Sequence, residues 1–112
     1  MVRLQLHVSD GPGRCDILRL EGELDLSTEV TLGDACADLL QRHHSKIIID
    51  ASGLEFCDCS GLTALIHAQR EAERQGGYLR LVGVHGQLAR LLTMAGLVDS
   101  FPPYADLRQA CG

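Results

Sequence analysis

The chain has no excess of positive charge, no long apolar run and no regular cysteine spacing, and each lack excludes something. Its 15 acidic residues outnumber its 10 lysines and arginines, for a formal net charge of -5, so no cationic patch is available to hold a phosphate backbone. Direct binding to nucleic acid is disfavoured. No apolar stretch approaches the roughly 20 residues of a membrane-spanning helix, and Met1-Val2-Arg3-Leu4 leads into alternation rather than into a signal-peptide core. No membrane association is expected, and the expected location is the cytoplasm. The five cysteines, Cys15, Cys36, Cys57, Cys59 and Cys111, are odd in number and contain no C-x-x-C pair, which argues against a disulfide scaffold and a zinc site. Most of them are expected to be reduced and buried. His43, His44, His67 and His85 are scattered, so neither a metal nor another cofactor is expected. There is no internal repeat, linker or low-complexity segment.

What is present fits one globular unit. A length of 112 residues, with 46% hydrophobic and 22% charged side chains, suits a single domain over residues 1–112 with one core. Val2, Leu4, Leu6 and Val8 alternate with polar residues as in a strand with one wet face. After the turn signal Asp10-Gly11-Pro12-Gly13, an extended pattern resumes over Cys15–Glu21, which predicts a hairpin-like pair. Leu32, Cys36, Leu39 and Leu40 mark the buried face of a first helix, capped by Ser27 or Thr28 and closed by Arg42-His43-His44-Ser45. Lys46–Asp50 is a β-branched strand, Ala51–Phe56 a bridging loop anchored by Phe56, and Tyr78–Val84 a further strand. A helix follows Gly86, with Leu88, Leu91 and Leu92 facing inward and Gly96 stopping it. Leu97–Phe101 reads as a last edge strand, and a short helix is expected around Asp106–Ala110.

The stretch with the most chemical content is Leu54-Glu55-Phe56-Cys57-Asp58-Cys59-Ser60-Gly61-Leu62, where a strand pattern gives way to helical spacing over Leu62, Leu65, Ile66, Gln69 and Ala72. Asp58 to Gly61 should form the first turn of that helix, with Asp58 or Cys59 at its boundary. The unpaired N–H groups and dipole of such a turn favour an anion, an ionised thiol or an acidic partner group. On local pattern alone, Asp, Ser and Gly before an apolar run most often only cap a helix. Asp25, after the strand ending in Gly22-Glu23-Leu24, has a similar bland role open to it, as a solvated loop carboxylate bonding nearby amides.

Asp58-Cys59-Ser60-Gly61-Leu62, with Gly22-Glu23-Leu24-Asp25 about one strand and one helix earlier, resembles the STAS domain of bacterial anti-sigma factor antagonists. The resemblance extends in element order over nearly the whole chain. It implies an α/β fold, a single STAS-like domain with a mixed sheet of about four to five strands and helices packed mainly on one face. The helix between the strands at 46–50 and 78–84 independently requires a parallel crossover, whereas the N-terminal pair has none. The resemblance further implies a binding module rather than an enzyme. Its partner would be an anti-sigma factor with a kinase-like fold, and indirectly a sigma factor freed for transcription. The partner-binding residues carried over are Asp25, Ser27, Asp58, Cys59, Ser60, Gly61 and Leu62.

In the family the partner kinase phosphorylates the serine that follows the motif aspartate, and the added charge of about -1.5 to -2 drives the partners apart. Here that position is Cys59, which has no hydroxyl, and Ser60 stands one residue later. Ser60 is thus a candidate phospho-acceptor by a one-residue shift, and Cys59 a candidate redox site. Two other readings stay open: a STAS scaffold or a small-ligand or redox sensor not governed by phosphate, and a thiol-dependent redox protein using Cys57 or Cys59. Against the last, no histidine lies nearby in sequence to act as a base, and C-x-C is not the C-x-x-C of a thioredoxin-like site.

Overall fold

The computed structural model describes residues 3–111. Its elements are β1 (Leu4–Asp10), β2 (Asp16–Leu24), α1 (Glu29–Gln41), β3 (Lys46–Cys57), α2 (Cys59–Arg74), β4 (Tyr78–Val82), α3 (Gly86–Met94) and α4 (Leu107–Ala110), with a single 3-10 turn at Pro12–Arg14. That turn joins β1 and β2 into the expected antiparallel pair, Leu4 opposite Gly22 and Asp10 opposite Asp16. Val2, read as part of β1, lies outside the described residues. Parallel pairing needs a crossover, and α1 and α2 supply it for β2–β3 and β3–β4. The result is a mixed sheet of four strands in the order β1-β2-β3-β4.

Alternation along the strands divides the interior in two. Leu18, Leu20, Ile47, Ile49, Leu79 and Leu81 point to the side carrying α1, α2 and α3, where they meet Leu32, Cys36, Leu39, Leu65, Leu88 and Leu92. Ile17, Ile48 and Val82 point to the other side, onto a much smaller cluster with Ala110, Tyr104 and Leu107. Three helices thus cover one face, and the C-terminal segment with its four-residue α4 covers the other. The four apolar positions read for α1 are all buried, and the Asp58-led helix begins at Cys59.

Several expectations are corrected. Leu97–Phe101 forms turns instead of an edge strand: the amides of Ser100 and Phe101 bond back to the Leu97 carbonyl at 3.1 and 2.9 Å, and Pro102-Pro103 has no N–H to continue a ladder. Phe101 is buried in the main core, and the only later pairing among the described residues is an isolated bridge of Tyr104 to Val82. The loop expected at 51–56 is strand, because β3 continues alongside β2 to Cys57 through two register shifts. Phe56 does not anchor it inward, being 42% exposed. Strand β4 stops at Val82 rather than Val84, since Gly83 turns out of the ladder with φ +68°. Finally, Cys15 and Cys111 are joined in a disulfide, while Cys36, Cys57 and Cys59 are free, the first two buried and the third exposed.

Candidate functional site

Because β2 and β3 are parallel neighbours, their outgoing ends deliver both motifs to the same edge of the sheet. Glu23 lies opposite Phe56 and Leu24 opposite Cys57. The Asp58 amide then donates to the Leu24 carbonyl at 3.2 Å, joining the two turns directly. Gly22 starts the departure from β2 with φ +111°, a conformation that a side chain resists, and a Cβ there would lie 2.1 Å from the Arg3 carbonyl oxygen. The β4–α3 loop reaches the same edge, where His85 Nε2 is 3.0 Å from the Ser52 carbonyl oxygen.

The Asp25 turn is closed on itself. Asp25 Oδ1 accepts from the Ser27 amide at 2.9 Å and from Ser27 Oγ at 2.7 Å. Its Oδ2 accepts from Arg3 Nη2 at 2.7 Å, and the same guanidinium reaches Glu23 and Ser27. Thr28 Oγ1 accepts from the Asp25 amide and donates to the Glu23 carbonyl, both at 2.9 Å. Asp25 is only 8% exposed. The Ser27 hydroxyl holds its carboxyl below the usual aspartate range, with the Ser27 amide, Arg3 and Thr28 acting the same way and burial opposing them. Ser27 itself is exposed.

The Asp58 turn is open. Asp58 is the N-cap of α2, its Oδ1 accepting from the Gly61 amide at 3.0 Å. Cys59 is exposed and Ser60 half-buried in the first helical turn, whereas Gly61 and Leu62 are buried. A Cβ on Gly61 would lie 2.7 Å from both Cγ and the carbonyl oxygen of Leu24, and 3.0 Å from Cys57 Sγ. Gly61 therefore serves close packing between the two motifs, and Leu62 belongs to the main core. Neither offers a side chain to the outside. Cys57 does not offer a reactive thiol either: burial, then Asp58 and Cys59, push it up to about 12.

Three exposed apolar residues at this edge were not read as site residues: Leu26 at 70%, Val30 at 65% and Phe56 at 42% exposure. Leu26 and Val30 follow Asp25 at a spacing of four and fall outside the Leu32, Cys36, Leu39 and Leu40 face, which is the sequence signal that marks them. Among the described residues, no group of three or more His, Cys, Asp or Glu side chains is placed to hold a metal ion. No helix among them is long and apolar enough to cross a membrane.

A mixed four-stranded sheet with two signature turns at one edge defines a small α/β module. The chain belongs to the STAS domain family: residues 7–104 match the family model described as Mlab, STAS domain. It is similar to the anti-sigma F factor antagonist of Paenibacillus polymyxa, at 32% identity over 79% of this chain and 76% of that protein. An anti-sigma-F factor antagonist of Mycobacterium tuberculosis is 26% identical over 84% of this chain and 75% of its own length. The crystal structure of an anti-sigma factor antagonist from Mycobacterium paratuberculosis superposes with a TM-score of 0.83, at 25% identity over 96% of this chain and 90% of that one.

Proposed function

We propose that this chain is an anti-sigma factor antagonist acting in the cytoplasm, which binds an anti-sigma factor of the serine-kinase type and thereby frees a sigma factor for transcription. The family and the names of the relatives supply the class of partner. The observation that carries the reading is the edge itself: a closed Asp25 turn and an open, helix-capping Asp58 turn, bonded through Leu24 and Asp58 and flanked by Leu26, Val30 and Phe56 in water. Apolar side chains gathered around rigid, internally bonded turns suit the desolvated centre of a protein interface. Ser27, Cys59 and Ser60 would lie at its polar border. Asp25, Asp58, Gly61 and Leu62 would act from beneath, by holding the turns in place.

Control by phosphate would fall on Ser60, since Cys59 has no hydroxyl to accept it. Ser60 stands in the first turn of α2, where the helix dipole tolerates added negative charge. A phosphate there would act on the partner rather than on the helix. Without one, the protein would be a constitutive antagonist.

The test is calorimetric titration with the cognate anti-sigma factor. Leu26→Asp should weaken binding by about tenfold or more while leaving the far-ultraviolet circular dichroism unchanged. Unaltered affinity in both Leu26→Asp and Val30→Asp would remove this surface from the interface.

A further inference from the structure

The small cluster on the second face of the sheet differs from the main core in how it is held. Its cover, residues 102–111, carries one four-residue helix, too short to persist without support. Its buried Ala110 packs onto Cys15, Ile17, Ile48 and Val82 beneath. Arg80 Nη1 donates to the Ala110 carbonyl at 2.7 Å, and the guanidinium lies 3.8 Å from the Tyr78 ring centroid and 5.5 Å from that of Tyr104. The Tyr78 hydroxyl is buried with no hydrogen-bond partner, a state that exposure to water would relieve. Against this modest packing stands one covalent tie. Cys15, just before β2, is bonded to Cys111 with Cα atoms 6.3 Å apart, across a sequence separation of 96.

We propose that the Cys15–Cys111 bond is a reducible clasp that holds the C-terminal segment over the second face of the sheet, so that reduction opens this face while the motif edge stays folded. In a reducing compartment an oxidised cysteine pair is more often an input than a permanent staple. The half-buried Cys111 is the accessible sulfur, since Cys15 is 2% exposed. A thiolate of an external dithiol attacks Cys111 Sγ, the S–S bond breaks, and Cys15 leaves as a thiolate that takes up a proton. The second thiol of the reductant then displaces Cys111, so that two protein thiols and one cyclic disulfide result. An organic disulfide reverses the exchange. No other protein thiol competes for the pair: Cys36 and Cys57 are buried and pushed up to about 12 by burial. Cys59 follows the outgoing end of β3, whereas Cys15 precedes the incoming end of its parallel neighbour β2.

Both tyrosines of the chain, Tyr78 and Tyr104, lie in this cluster, and there is no tryptophan. Near-ultraviolet circular dichroism therefore reads the clasp locally. After treatment with an oxidised dithiol, denaturation and alkylation should label the three free cysteines; after dithiothreitol, all five. Reduction of the native chain should weaken the tyrosine signal and raise amide hydrogen exchange at residues 107–111 by about tenfold or more, with α2 unaffected. Cys111→Ser should match the reduced protein in tyrosine signal and hydrogen exchange under both conditions, with its four remaining cysteines all labelled. Five labelled thiols after oxidation would overturn the proposal, as would exchange at 107–111 indifferent to reduction. So would an equal rise in α1 and α2, since the opening would then be global. None of these readings involves the partner protein.

Discussion

At the end of β2 the motif aspartate is enclosed by its own turn, while at the end of β3 its counterpart caps a helix and leaves the next residue exposed and the one after it half-buried. Asp25 accepts from Ser27 and Arg3 and is buried; Asp58 makes one side-chain bond, to the Gly61 amide, and is half-buried. The difference separates holding a surface from presenting one. The Asp25 turn fixes where Leu26 and Val30 emerge, and the Asp58 turn fixes where Cys59 and Ser60 emerge. The Leu24–Asp58 backbone bond keeps the two in register.

The strongest way to break that arrangement is at the packing point between the turns. Gly61→Val places atoms where Leu24 and Cys57 already lie, so a loss of about 1–3 kcal/mol or more is expected in a denaturant titration. Affinity per folded molecule should change little if the turns recover their geometry. A variant with wild-type stability and no binding would show instead that the partner itself approaches Gly61.

Next in size is Asp25→Ala, which strands the Ser27 amide and takes from Arg3 one of its three partners, leaving Glu23 and Ser27, and should lower the melting temperature more than loss of the Asp58 cap does. Asp25→Asn sharpens this by keeping the size of the side chain while removing its charge and turning one of its two acceptor oxygens into an amide donor. Because the folded state holds the Asp25 carboxyl below its ordinary value of 3.8, its stabilising effect is complete above that pH. It disappears as the pH falls through the lowered value, where the folded form also takes up the proton. The stability gap between wild type and Asp25→Asn should thus narrow on acidification below 3.8 and stay constant between pH 5 and 7. A gap that widens with acid would contradict the role given to Ser27 and Arg3.

The closed turn was harder to read in the sequence than the open one. Asp58 lies between a β-branched strand and an apolar helix, so local spacing alone marks it as a cap, and the face of α1 was equally legible from Leu32, Cys36, Leu39 and Leu40. Asp25 depends on Arg3, which lies 22 positions away and becomes its neighbour only through the antiparallel pairing of β1 with β2. The same limit explains the extension of β3: Gly53 and Leu54 read as loop, yet pairing with Glu21 and Gly22 of β2 resumes there after the register shift and carries the strand on. Leu97–Phe101 has the composition of a strand, but the chain turns there and uses Phe101 to close the core. A disulfide spanning 96 positions has no local signature at all.

Asp58→Ala tests the open turn at smaller cost. It removes the bond to the Gly61 amide and should destabilise the protein by about 1 kcal/mol, with the Leu24–Asp58 backbone bond still available to hold the two turns together. Binding should weaken only as far as the first turn of α2 frays, so hydrogen exchange of the Gly61 amide and affinity should move together. Affinity falling with that amide still protected would mean that the carboxylate contacts the partner directly.

The smallest structural change carries the last prediction. Cys59→Ser replaces an exposed thiol with a hydroxyl at the first position of α2, where no packing is lost, and stability should shift by less than about 0.5 kcal/mol. The chemical consequence is larger, because the variant acquires an acceptor at the position where the family resemblance puts the phosphorylated serine. Incubation with the cognate kinase and ATP, read by intact mass, should give one phosphate on Cys59→Ser, and the product should bind the anti-sigma factor more weakly than the unmodified variant. Adjacent residues on a helix project about 100° apart, and transfer to a hydroxyl is sensitive to displacements of about 1 Å. The wild-type chain, with only Ser60 to offer, should therefore be labelled much more slowly under the same conditions. Equal labelling of wild type at Ser60 would show that the kinase accepts the one-residue shift. It would then be the half-buried serine, and not the exposed position before it, that carries the control.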